Sequence, residues 1–145
     1  MYDYSKFISP YRRSIHSPKD LVSDGKCIFG TFDKEFETID LLSIKNPTKA
    51  PNFLNRMKLT LWEAAEVHFD EGLLLAVCCD MGIFGKVIHV FYDKRNKRVY
   101  HWESQPKSKD TTVASNLLNG SMSCAEGKDY HIKYTNNFED GICTM

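Results

Sequence analysis

The sequence has no excess of either charge: 19 Lys and Arg balance 19 Asp and Glu, for a formal net charge of zero. Proteins that bind nucleic acid normally carry a basic excess or a basic face, so that class is not expected. The balance also leaves little repulsion between copies, which favours self-association. No long apolar run is present. The longest, residues 73–79, is far too short to cross a bilayer. The opening "MYDYSKFISPYRRSIHSPKD" scatters charges where a signal peptide would hold an apolar stretch, and the cytoplasm is the expected compartment.

Metal and catalytic signatures are missing as well. The five cysteines are Cys27, Cys78, Cys79, Cys124 and Cys143, with no C-x-x-C and no zinc-type Cys/His spacing. Cys78 and Cys79 adjoin on an expected strand, so their side chains point to opposite faces and serve as small apolar fillers. There is no H-E-x-x-H and no G-x-S-x-G, and the two glycines of "DMGIFG" match neither a Walker loop nor a dinucleotide fingerprint. No metal and no cofactor are expected. No internal repeat or low-complexity tract is visible.

What is present suits one folded domain. A chain of 145 residues can bury a core, and 42% apolar with 26% charged residues is ordinary for a globular protein. Residues 1–25, with Pro10 and Pro18, read as an extended lead-in, and residues 26–145 as a single antiparallel β domain. "FETIDLLSI" suits a short strand or a docking segment, and "KNPTKAPNF" a connector.

In "MKLTLWEAAEVHF" the odd positions Met57, Leu59, Leu61, Ala65, Val67 and Phe69 are apolar, with Glu63 the exception. Period two predicts a strand. A helix is the rival, since Leu61, Trp62, Ala65 and Phe69 also form a stripe. The "DEG" that follows, ahead of "LLLAVCCDMG", is a hairpin signal and favours the strand. "KVIHVFYD", the polar "KRNK" and "RVYHWES" complete a meander of four strands between residues 57 and 104. Two of these strands are apolar on both faces, so both sides of the sheet are expected to be covered. Further short strands follow, with turns at Asn119–Gly120 and Glu126–Gly127. The pattern is all-β, a barrel or a sandwich.

Within this frame a few residues could carry chemistry. Glu63 on an apolar face either lines a polar cavity or is turned to solvent or an ion pair. His89, between apolar neighbours, suits a hydrogen-bonded core residue or a catalyst. His68, His89 and His101 on neighbouring strands could converge on a metal, though their spacing does not demand it. Asp80 in "DMGIFG" has the chemistry of a turn. Trp62, Phe91, Tyr100 and Trp102 are either core or the lining of an apolar pocket.

The stretch "PNFLNRMKLTLWEAAEVHFDEGLLLAVCCDMGIFGKVIHVFYDKRNKRVYHW" resembles the start of domain-of-unknown-function family 2804. The shared features are a Pro and basic segment leading into "LWEAAEV", a strand ending in "DMGIFG", and an aromatic strand ending in "YD". "GTFDKEFETIDLL" fits that family's lead-in, and the resemblance covers residues 25–104. It implies a lipocalin-like (calycin-like) barrel or half-barrel, distantly similar to two-barrel proteins of the hydroxyneurosporene-synthase type. Such proteins run to about twice this length, so the resemblance also implies an N-terminal half with a missing C-terminal partner half. The family supplies no catalytic residues to carry over, and the vicinal cysteines depart from its pattern.

Three functions follow as expectations. The first is a module binding an apolar or amphipathic small molecule through Trp62, Glu63, Phe91 and Trp102. The second is a hydratase or isomerase acting on an unsaturated lipid-like substrate with Glu63, Asp80 or His89 as general acid. The third is a structural half-domain that pairs its open sheet edge with a second barrel or another copy.

Overall fold

The computed structural model describes residues 14–118 and 120–145. Its first element is a small hairpin: Asp24 and Gly25 both take positive φ, 52° and 79°, and fold β1 (Val22–Ser23) back on β2 (Lys26–Cys27). Asp-Gly is the pair that such a two-residue turn selects. The hairpin straddles the expected boundary at residue 25; of the expected lead-in, residues 1–13 lie outside the described residues, and Ile15 and Ser17 are tied down. The Ile15 amide donates to the Thr31 carbonyl at 2.8 Å, and the Ser17 hydroxyl to Asp33 at 3.0 Å.

The first expected strand begins later than its periodicity suggests. Met57 lies in a short helix, α1 (Asn52–Lys58), and β3 (Leu61–His68) starts after it. The turn chemistry of the connector takes these residues: Asn55 donates to the Ala50 carbonyl at 3.0 Å and accepts from Thr48 at 2.6 Å. Arg56 and Lys58 in the last turn suit the negative end of a helix.

From Leu61 onward the meander is as expected. β3, β4 (Gly72–Asp80), β5 (Gly85–Asp93) and β6 (Arg98–Ser104) form one antiparallel sheet in chain order. Asp80 accepts from the Gly82 amide at 2.9 Å, and Gly82 sits at φ +82°, which is the turn chemistry expected of "DMGIFG". Asp93 likewise accepts from the Asn96 amide at 2.9 Å to close "KRNK". A second antiparallel sheet contains β7 (Thr111–Thr112), β8 (Ser121–Gly127), β9 (Tyr130–Asn137) and β10 (Ile142–Thr144), in the order β10-β9-β8-β7. The turn after Gly127 is Lys128–Asp129, and Gly120 has φ +72°; Asn119 lies outside the described residues.

The two sheets meet face to face over a small core. Ala76, Cys78 and Val87 of the first pack with Ala125, Ile132 and Tyr134 of the second, and all six are buried. The Tyr134 hydroxyl donates to the Ala76 carbonyl at 2.6 Å, bonding one sheet to the other. Gly85 makes the contact close: a Cβ there would stand 2.0 Å from the Thr111 hydroxyl.

The protein is therefore all-β and antiparallel, but both sheets are open. β3 and β6 edge one, β10 and β7 the other, and no strand pair among the described residues closes a barrel. Among the described residues the expectation that both sides of the first sheet are covered holds for one side only and there in part, since Tyr100 and Trp102 on that side stay exposed. Leu75, Val77, Ile88 and Val90 on the far side stay partly exposed, because the second sheet packs over the opposite face, around Cys78 and Val87.

Candidate functional site

The pleat sets the chemistry of the inner face. Leu61, Glu63, Ala65 and Val67 alternate onto the side of β3 that meets the second sheet, so Glu63 enters the sandwich where its neighbours are apolar. A carboxylate in such a place needs hydrogen bonds. One Glu63 oxygen accepts from the hydroxyl of Ser123, which is fully buried and in turn accepts from the Ala114 amide at 2.7 Å.

On β9 the same alternation turns Ile132, Tyr134 and Asn136 inward, all buried. The Asn136 carbonyl oxygen accepts from the Cys143 thiol at 3.3 Å, while its Nδ2 is buried and finds no partner among the described residues. Burial, with the Glu63 carboxylate nearby, pushes the Cys143 thiol above its ordinary range. Tyr134 is pushed up to about 12, chiefly by burial.

Beside these groups lies a cleft of about 610 Å³, within the range of small-molecule sites. One wall is β3 itself. The others come from Ile39 and Leu41 ahead of and within a 3-10 turn, from Val113 and Leu117 between β7 and β8, and from Phe138. The expected docking segment positions one wall: the Ile39 amide donates to the Ser115 carbonyl at 2.6 Å and Asn116 donates to the Glu37 carbonyl at 2.9 Å. Asp40, Glu63 and Glu66 line the cleft, and among the described residues no Lys or Arg does. Two of these carboxylates are occupied locally, Asp40 with the Leu42 amide at 3.0 Å and Glu66 with His68.

The structure brings together only part of the expected site. Trp62 and Glu63 line the cleft; Phe91 and Trp102 do not. Those two belong to a row Phe69–Phe91–Tyr100–Trp102 across the first sheet, with ring centroids 5.9, 6.1 and 6.1 Å apart. Asp80 shares the inner face with Glu63 but serves its turn, also accepting from Ser108 at 3.0 Å. His89 lies on that face between Ala76 and Trp102 and does not reach the cleft. His68 and His101 point to the opposite face from His89, and each contacts a neighbouring glutamate, so the three do not converge. Cys78 is buried with its thiol pushed up to about 12, chiefly by burial, while Cys79 faces the other side of the sheet.

Ser123, Tyr134 and Asn136 are site residues that the sequence reading passed over. A signal existed: "SMSCAEG" and "YHIKYTNN" alternate with period two, and Ser123 and Asn136 are polar members of their inward-facing sets. No family model matches the chain, and no curated protein or solved structure matches it. The resemblance to family 2804 rests on the quoted residues alone.

Proposed function

We propose that the protein is a binding module whose cleft takes an apolar or amphipathic small molecule, with a hydrogen-bond-donating or cationic end turned to Glu63. One observation carries the reading: an apolar cleft of ligand size, with the Glu63 carboxylate beside it and no Lys or Arg in its lining among the described residues. Apolar walls bind the body of a ligand, and a few placed polar groups fix its orientation. The proposed likeness to lipocalin-like barrels, which hold one small ligand, agrees with this role. A hydratase or isomerase is less well supported, because general acid–base work needs a second free group within reach: Asp80 and His89 do not line the cleft, and Asp40 and Glu66, which do, are engaged with the Leu42 amide and His68.

The test is thermal-shift and calorimetric titration with dodecylamine, dodecanol, retinol and dodecanoate below their aggregation limits. The amine and alcohols should raise the melting temperature and the carboxylate should not, since it would meet Glu63. Ala65→Trp, which fills the cleft, should abolish the shifts. Uniformly null shifts for the wild-type chain would overturn the reading.

A further inference from the structure

β3 is an edge strand, and its register shows which backbone groups it leaves open. The β3–β4 turn is closed by reciprocal bonds between Phe69 and Gly72, amide to carbonyl in both directions at 3.1 and 3.3 Å. In an antiparallel pair such doubly bonded partners alternate with unbonded ones. Counting back along the register, Val67, Ala65, Glu63 and Leu61 bond to β4. Trp62, Ala64 and Glu66 therefore turn both N–H and C=O outward. All three line the cleft, and among the described residues no backbone hydrogen bond reaches that edge. Backbone donors and acceptors left open along an apolar groove are a template for another strand.

The geometry points to the β3 edge as a docking site for an extended peptide that adds a strand to the first sheet. Three outward residues at alternate positions span about 13 Å of extended chain. Added-strand recognition draws affinity from main-chain bonds and selectivity from pockets for alternate side chains. Here the inward-facing peptide side chains meet Leu61, Glu63 and Ala65, with Tyr134 and Phe138 beyond. That order selects an apolar, a cationic and an apolar residue in alternation. Charge complementarity fixes the middle one, because among the described residues the lining holds three carboxylates and no Lys or Arg. The inference rests on the cleft being a ligand site but changes the class of ligand, from a compact amphiphile to a segment of polypeptide.

The test uses the full chain and an acetylated heptapeptide, Thr-Val-Thr-Lys-Thr-Val-Thr, with a matched peptide carrying Glu for Lys, and dodecylamine as the small-molecule arm. Binding of the Lys peptide should slow hydrogen exchange at the Trp62, Ala64 and Glu66 amides by more than about tenfold, and change Glu63 and Ala65 little. The Glu peptide should bind at least roughly tenfold more weakly. Ala64→Pro removes one outward donor at an edge position where proline is tolerated, and should weaken the Lys peptide by a larger factor than dodecylamine, which makes no use of that donor. Glu63→Gln should narrow the difference between the two peptides. Dodecylamine binding without peptide binding would overturn the inference and leave the small-molecule reading intact. Peptide binding without protection of the three amides would place the peptide elsewhere and overturn it as well. If neither ligand binds, both readings fall.

Discussion

The two sheets solve the same problem differently. The second alternates cleanly: Ser123, Ala125, Ile132, Tyr134 and Asn136 are buried, while Met122, His131 and Lys133 face water. The first is apolar on both faces along β4 and β5, yet only Ala76, Cys78 and Val87, with Gly72 and Gly85, are fully buried there. An amphipathic sheet needs one partner layer, and here it has one. A sheet apolar on both sides needs two, and among the described residues only one face is packed against another sheet. The difference shows where the fold's stability is concentrated: in the contact between the sheets rather than in the strands with the most apolar residues.

Tyr134 is the sharpest test of that claim, since it is fully buried and bonds across the interface to Ala76. Tyr134→Ala should cost about 3–5 kcal/mol of unfolding free energy, the range for emptying a buried aromatic site. Tyr134→Phe, which removes only the hydroxyl bond, should cost about 1–2 kcal/mol. Urea denaturation followed by Trp fluorescence checks both. A Tyr134→Ala loss under about 1 kcal/mol would show that the sheets do not depend on each other.

Val87 probes the first sheet from inside the same contact. It is 1% exposed and sits in register with Cys78. Val87→Thr keeps shape and strand propensity but buries a hydroxyl, and should cost about 1–3 kcal/mol. The same denaturation curves read it.

High pH loads the interface without changing a residue. Burial pushes both Cys78 and Tyr134 up to about 12, from ordinary values of 9.0 and 10.0. Both groups are neutral when protonated, and their folded pKa values lie above the unfolded ones. The unfolded chain therefore releases protons first as pH rises, and the stability present below pH 9 is lost progressively toward pH 12. By pH 10 the loss should be about 2 kcal/mol, most of it from Cys78. Cys78→Ala should flatten the slope between pH 9 and 11 when unfolding is followed across that range. An unchanged slope would mean that Cys78 is not shielded from solvent.

How much of this was legible in the sequence follows from the same contrast. Strand positions came from local signals: the "DEG" hairpin, the Asp80–Gly82 turn and "KRNK" each fold as their side chains dictate, and three strands end where those turns begin. The start of β3 did not, because Met57 fits a period of two as well as a helix. The bonds of Asn55 to Thr48 and Ala50 decide the matter, and they join residues that no strand pattern compares. The pairing of the sheets was out of reach for the same reason. Glu63 stood out as a polar exception, but its partner Ser123 is 60 residues away and had to be brought there by the fold. Trp62 reaches the cleft while Trp102 does not, since aromatic residues on strands carry no mark of which layer will cover them. Asn136 was readable in principle, as a polar member of an inward-facing set, once β9 is given its register.

The smallest predicted effect separates the two faces most directly. Val90 pairs with Leu75 and His101 on the far side of the first sheet, one strand position out of phase with the inward-facing His89 and Phe91. Val90→Thr is chemically the same change as Val87→Thr, but water can satisfy the new hydroxyl where the side chain is partly exposed. It should cost under about 0.5 kcal/mol. Running the two variants side by side at several protein concentrations sharpens the comparison. If Val90→Thr costs as much as Val87→Thr, and more at high concentration than at low, then a second copy covers that face in solution. Its apolar residues would then be an interface, and the first sheet would have the two partner layers that its sequence calls for.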